Sequence, residues 1–73
     1  GNIIMRDYNS VTDYHIIDGA VRAAYAFGTG IISAVKNELI LNDITPPKNI
    51  DGIVFDIALR IDREEREAFK NES

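Results

Sequence analysis

Apolar side chains recur every three or four residues through the middle of this chain, and this spacing constrains its fold more than any other feature. The row consists of Tyr14, Ile17, Val21, Ala24, Gly28, Ile31 and Val35. A helix places residues at this spacing on one face, whereas side chains alternate between the two faces of a strand. Ser10 and Asp13 are residue types that cap a helix N-terminus. The sequence therefore predicts one helix from about residue 11 to about residue 41.

A second row, on the opposite face of this predicted helix, consists of small residues. Its members are Gly19, Ala23, Ala26, Gly30 and Ser33. Glycine inside a helix costs about 1 kcal/mol relative to alanine, so Gly28 and Gly30 together imply a compensating contact, with a local kink as the other interpretation. We therefore expect another helix or a ligand to approach this face closely.

A second helix is predicted from about residue 46 to about residue 71, after a loop at about 42–45. Thr45 before two prolines is typical of a helix start, and charge pairs four residues apart, such as Asp62 with Arg66, support an exposed helical face. Residues 1–9 are expected to form an N-terminal arm. Apolar residues also occupy every second position from Ile53 to Ile61, which leaves an α+β fold with a strand at about 53–61 as the alternative.

The chain is small, with 73 residues and no cysteine, so disulfides and thiolate zinc sites cannot support it. A hairpin buries one stripe of each helix, whereas the first helix is apolar around most of its circumference. We therefore expect an all-α, antiparallel helical hairpin that pairs with a second copy into a four-helix or larger bundle. The predicted self-association seam consists of Tyr14, Ile17, Val21, Ala24, Ile31 and Val35.

No pattern in the sequence indicates an enzyme, a cofactor or a metal site. His15 is the only imidazole, and Ser10 and Ser33 lack an evident base and acid partner. The glycines at 28 and 30 match neither the P-loop nor the dinucleotide spacing. The longest uncharged apolar stretch, residues 23–35, is too short to span a membrane. The absence of cysteine fits a reducing compartment, so we expect a soluble, cytoplasmic protein.

The function favoured by these features is a non-catalytic protein–protein interaction or regulatory module that acts as a homo-oligomer or binds another protein. The alternative is a small-ligand or nucleotide site between protomers, since a small anionic ligand could bind basic side chains there. The expected ligand or partner contacts are His15, Arg22, Tyr25 and Lys36. Residues 24–28 have the alanine-to-glycine spacing of helix-turn-helix DNA-binding proteins, but the net charge of −4 argues against nucleic acid as a partner.

Overall fold

The computed structural model describes residues 4–72, which form three helices and two short strands. In chain order these are β1 (Arg6–Asp7), α1 (Tyr14–Phe27), α2 (Ile31–Leu41), β2 (Ile44–Thr45) and α3 (Ile50–Glu72). The strands form a two-stranded parallel sheet. The structure thus confirms that the protein is mostly helical.

The predicted single helix over 11–41 is wrong, because the chain turns between α1 and α2. Gly28 ends α1 with φ 70°, in the left-handed region that favours glycine. The amides of Gly28 and Thr29 both donate to the carbonyl oxygen of Ala24. Gly30 then has an extended backbone, and its carbonyl oxygen accepts the first hydrogen bond of α2 from the Ala34 amide at 3.0 Å. The two glycines therefore end one helix and start the next.

The N-terminus of α1 also differs from the prediction, since the helix begins at Tyr14 and residues 9–12 form a turn. Asn9 Oδ1 accepts hydrogen bonds from the amides of Val11 and Thr12 at 2.8 and 3.1 Å. Asp13 occupies the N-cap position, but its carboxylate accepts no capping hydrogen bond from the helix amides. The turn is therefore stabilised by Asn9 and by the Asp13 carboxylate, which accepts a hydrogen bond from the Asn9 amide at 2.9 Å, rather than by the expected cap from Ser10.

The strand alternative at 53–61 is wrong as well, because these residues lie inside α3. The helix begins at Ile50 rather than at about 46, and the amides of Ile50 and Ile53 donate to the carbonyl oxygens of Pro47 and Asn49, each at 3.2 Å. Both prolines therefore precede the helix.

Part of the predicted N-terminal arm is a strand, and part of the predicted 42–45 loop is its partner. Arg6 lies opposite Ile44 in the parallel pair, and the Arg6 amide donates to the Asp43 carbonyl oxygen at 2.9 Å. Asp43 adopts φ 59° in the turn that ends α2, and Asn42 Nδ2 donates to the Glu38 carbonyl oxygen at 2.8 Å. Residues 1–3 of the predicted arm lie outside the described residues.

A single apolar core lies between the three helices and β2. Its buried members are Ile17, Ala20, Val21, Val35, Leu39, Ile44, Ile50, Val54, Ile57 and Ile61. The predicted self-association seam falls in or beside this core: Ile17, Val21, Ala24 and Val35 are buried, and Tyr14 and Ile31 are half-buried. Side chains that are buried inside one chain cannot also pack against a second copy. The predicted seam is therefore part of the protomer's own core and not a self-association surface. The turn at residues 28–30 is the reason, because it lets the chain cover this row itself.

Among its described side chains, α3 contacts the core through its first half. Ile61 is the last buried residue among them, and the side chains at 62–70 are half-buried or exposed. Its 23 residues correspond to a length of about 34 Å. The protein is accordingly elongated, measuring 54 × 24 × 17 Å.

Candidate functional site

A groove of about 390 Å³ lies where the end of α1 and the start of α2 meet α3. Its apolar lining consists of Tyr25, Ile31, Ile32, Val54, Phe55, Ala58 and Leu59. The turn at 28–30 brings α1 and α2 residues together here, so the helix break creates this site. The volume falls within the range of known ligand and peptide pockets, which are lined mainly by apolar side chains.

Three of the lining side chains are large, apolar and well exposed. Phe55, Leu59 and Tyr25 have 63%, 50% and 46% of their surface exposed. Isolated exposed apolar residues are common on protein surfaces, but a contiguous patch with a polar rim indicates an interaction site or a ligand groove. The groove is therefore the strongest candidate for a functional surface among the described residues.

The charged groups that line the groove are both acidic. Asp51 lies at one end of the groove and Asp62 at the other, and the two residues are about 16 Å apart along the axis of α3. Arg66 Nε forms an ion pair with Asp62 Oδ2 at 3.1 Å, at the boundary of the groove. Carboxylates at both ends disfavour an anionic ligand and favour an apolar occupant that carries basic groups.

The structure does not bring the four predicted contact residues together. Tyr25 lines the groove, whereas His15 and Lys36 are exposed and lie outside its lining. Arg22 donates to Asp18 Oδ1 at 2.6 Å and to Glu64 Oε2 at 2.9 Å, which raises the pKa of the Arg22 guanidinium and links α1 to α3. Arg22 therefore connects two helices in this structure.

The row of small residues, which runs from α1 into the start of α2, is exposed in the described part of the chain. All five members are exposed: Gly19, Ala23, Ala26, Gly30 and Ser33. A Cβ atom added at Gly19 or Gly30 would meet no other atom within 4 Å. The expected close approach is therefore not made at Gly19 or Gly30 by any of the residues that the structure describes, and an approach by another molecule stays a prediction.

An ion pair between the exposed Arg6 and the buried Asp13 attaches the N-terminal segment to the start of α1. Asp13 is 2% exposed, and its two carboxylate oxygens accept hydrogen bonds from Arg6 Nη1 and Nη2, both at 2.7 Å. The Asn9 amide also donates to this carboxylate, at 2.9 Å. The hydrogen bonds from Arg6 are the main reason that the pKa of Asp13 falls to about 2. Burial, with the negative charge of Asp13 nearby, raises the pKa of Tyr8.

Tyr14 forms a second link, between α1 and α3. The Arg60 guanidinium carbon lies 4.9 Å from the centre of the Tyr14 ring, a cation–π arrangement. The Tyr14 hydroxyl is buried and has no hydrogen-bond partner among the described residues. The cation–π contact therefore links the two helices, while the unpaired buried hydroxyl offsets part of its stabilisation.

Sequence reasoning missed Phe55 and Leu59 as exposed site residues, and it missed the pairing of Arg6 with Asp13. The spacing of Phe55, Leu59, Asp62, Arg66 and Phe69 along α3 was a usable signal, since it is a second periodic row beside the core row. Arg6 and Asp13 belong to different elements, so no local spacing rule connects them.

No protein-family model matches this chain, and neither a curated protein nor a solved structure shows significant similarity to it. Within residues 4–72, no helix is both long and apolar enough to cross a membrane. The same residues contain no group of three or more His, Cys, Asp or Glu side chains arranged to hold a metal ion.

Proposed function

We propose that this protein is a non-catalytic protein–protein interaction module that acts as a homo-oligomer through its apolar groove. The observation that carries the proposal is the contiguous exposure of Tyr25, Phe55 and Leu59 on a protomer whose core is complete without them. Large apolar side chains of this kind become favourable contacts when a partner removes them from water.

A second copy is the occupant that the rest of the chain supports. A domain of this size buries only about 60% of the surface of its unfolded chain, so additional burial between copies contributes usefully to stability. The apolar exposure on α3 also continues past the core to Phe69, which is 76% exposed. One molecule thus offers both an apolar groove and an apolar side chain on a projecting helix.

The two other functions considered have weaker support. The carboxylates of Asp51 and Asp62 at the groove oppose the phosphates of a nucleotide. The connection between α1 and α2 has the length of a helix-turn-helix turn. Lys36 is, however, the only basic residue of α2, whereas DNA binding needs several phosphate contacts. We therefore advance neither function.

Analytical ultracentrifugation of three proteins tests the proposal. The wild-type protein should sediment as a species larger than its 8.2 kDa protomer at micromolar concentration. Leu59→Glu places a charge in the contact and should give a monomer with an unchanged helical circular dichroism spectrum, because Leu59 is half-exposed in the protomer. Phe27→Glu is the matched control, since Phe27 is 82% exposed and lies outside the groove. A well-folded wild-type monomer, or a Leu59→Glu protein with the wild-type mass, would contradict the proposal.

A further inference from the structure

We infer that two copies pair in antiparallel orientation through α3, so that Phe69 of each copy packs beside Leu59 at the groove of the other. This inference rests on the proposed function and specifies its contact. It starts from a row on α3 at spacings of four, three, four and three residues, which we call the outer row: Phe55, Leu59, Asp62, Arg66 and Phe69. This is the spacing by which two helices pack along a continuous seam.

The protomer leaves the outer row uncovered. The residues of α3 that face the core are Ile50, Val54, Ile57 and Ile61. The outer row lies roughly 130° around the helix from that face, given 3.6 residues per turn. Phe69 is about two turns beyond Ile61, in the part of α3 where no described side chain is buried. A partner is therefore needed to bury this row.

The charges within the outer row decide the orientation of the pair. In a parallel pair, equivalent seam positions face each other, so Asp62 would face a second Asp62 and Arg66 a second Arg66. In an antiparallel pair centred near residue 64, Asp62 lies opposite the partner's Arg66, and Leu59 lies opposite the partner's Phe69. Opposite charges attract in the second arrangement, and like charges repel in the first.

The same charges also select the register among neighbouring antiparallel arrangements. A shift of one heptad toward the helix start places Phe55 against the partner's Arg66 and Leu59 against the partner's Asp62. The opposite shift places Arg66 against the partner's Phe69. Both shifts remove a charge from water against an apolar side chain, which is unfavourable. The register centred near residue 64 instead matches apolar with apolar and acid with base.

This register also brings the groove an apolar contact for Leu59 and a basic partner for Asp62. The partner's Phe69 contributes an aromatic ring beside Leu59, and the last turn of the partner's helix extends toward Phe55. The acidic end of the groove, Asp62, meets the partner's Arg66. Arg66 already binds Asp62 of its own chain through Nε, but a guanidinium has five N–H donors and can bind a second carboxylate.

Spin-label distances test the orientation and the register. The chain contains no cysteine, so Asp56→Cys and Arg63→Cys each allow one nitroxide label per copy. Both residues are exposed and lie on the same flank of the outer row. In the inferred pair, labels at 63 lie near the centre, so they should be about 10 Å apart, whereas labels at 56 should be about 26 Å apart. A parallel pair would give equal distances at both positions, and a pair centred on Phe55 and Leu59 would reverse their order.

A substitution at the far end of the helix completes the test. Phe69→Glu should weaken association at least about tenfold, because it removes one aromatic contact from each side and adds a charge there. Phe27→Glu should leave the association constant unchanged. A dimer with equal or reversed label distances, or one that is insensitive to Phe69→Glu, would overturn this inference and leave the proposed function standing. A wild-type protein that remains monomeric would overturn both.

Discussion

Gly28→Ala should destabilise the protein, although a Cβ atom at this position would meet no other atom within 4 Å. The cost comes from the backbone, because residue 28 has φ 70° at the end of α1. The left-handed conformation costs an L-residue about 1–2 kcal/mol, partly offset by the smaller entropy of the unfolded chain when alanine replaces glycine. We expect a net loss of about 1 kcal/mol, which for a domain of this size lowers Tm by about 4–8 °C.

Two other glycines provide controls of opposite sign. Gly19 lies exposed in the interior of α1 with no atom near its missing Cβ, so Gly19→Ala should stabilise the helix by up to about 1 kcal/mol. Gly30 precedes α2 with φ −64°, which requires no glycine, and Gly30→Ser adds a side chain that can cap the helix. That substitution should raise stability by a few tenths of a kcal/mol.

Urea unfolding followed by circular dichroism measures the three effects. All proteins are compared at one concentration, because the proposed association would make the apparent stability depend on concentration. If the helix instead ran unbroken through residue 28, Gly28→Ala would stabilise the protein as Gly19→Ala does. An increase in the free energy of unfolding for Gly28→Ala would therefore refute the helix break and favour the single helix over 11–41.

Two further predictions concern the N-terminal attachment and the core. The pKa of Asp13 is lowered to about 2 from a normal value of 3.8, so the folded state binds fewer protons and this pair's stabilisation is lost as the pH falls from about 4 to about 2. Asp13→Asn should remove that component of the acid sensitivity in pH-dependent urea titrations, and an unchanged acid profile would contradict the assignment. Ile57→Ala should lower the free energy of unfolding by about 2–5 kcal/mol, because Ile57 is buried, while Leu59→Ala on the exposed side of α3 should cost much less. Equal losses in the two variants would show that the buried face is misassigned.

The sequence predicts the mostly helical class correctly but misses the break after α1. Ala24, Gly28, Ile31 and Val35 keep a spacing of three and four residues across the turn, so the periodicity gives no sign of it. The sequence cannot distinguish a glycine inside a helix from a glycine that ends one, because the two differ only in the backbone φ angle. The sequence allowed a local kink at 28–30, whereas in the structure α1 ends there and a new helix, α2, begins.

The ambiguity over 53–61 has a physical origin in α3 itself. Val54, Ile57 and Ile61 are buried in the core, while Phe55 and Leu59 remain exposed. The two apolar rows together produce an apparent alternation that is typical of a strand. Phe55 and Leu59 line the candidate site, so the side chains that made the secondary structure ambiguous also mark the proposed interaction surface.

The turn at residues 28–30 also changes how folding and association are related. Had α1 continued to residue 41, the row containing Val21 would face outward, and each protomer would need a second copy to bury it. With the turn, Val21 and Ile17 are buried inside one chain, and the exposed apolar side chains of the groove lie on α3 and beside it. Because the core row and the outer row are separate sets of side chains, a charge at Leu59 should separate the copies without unfolding them, whereas a charge at Val21 should unfold the protomer.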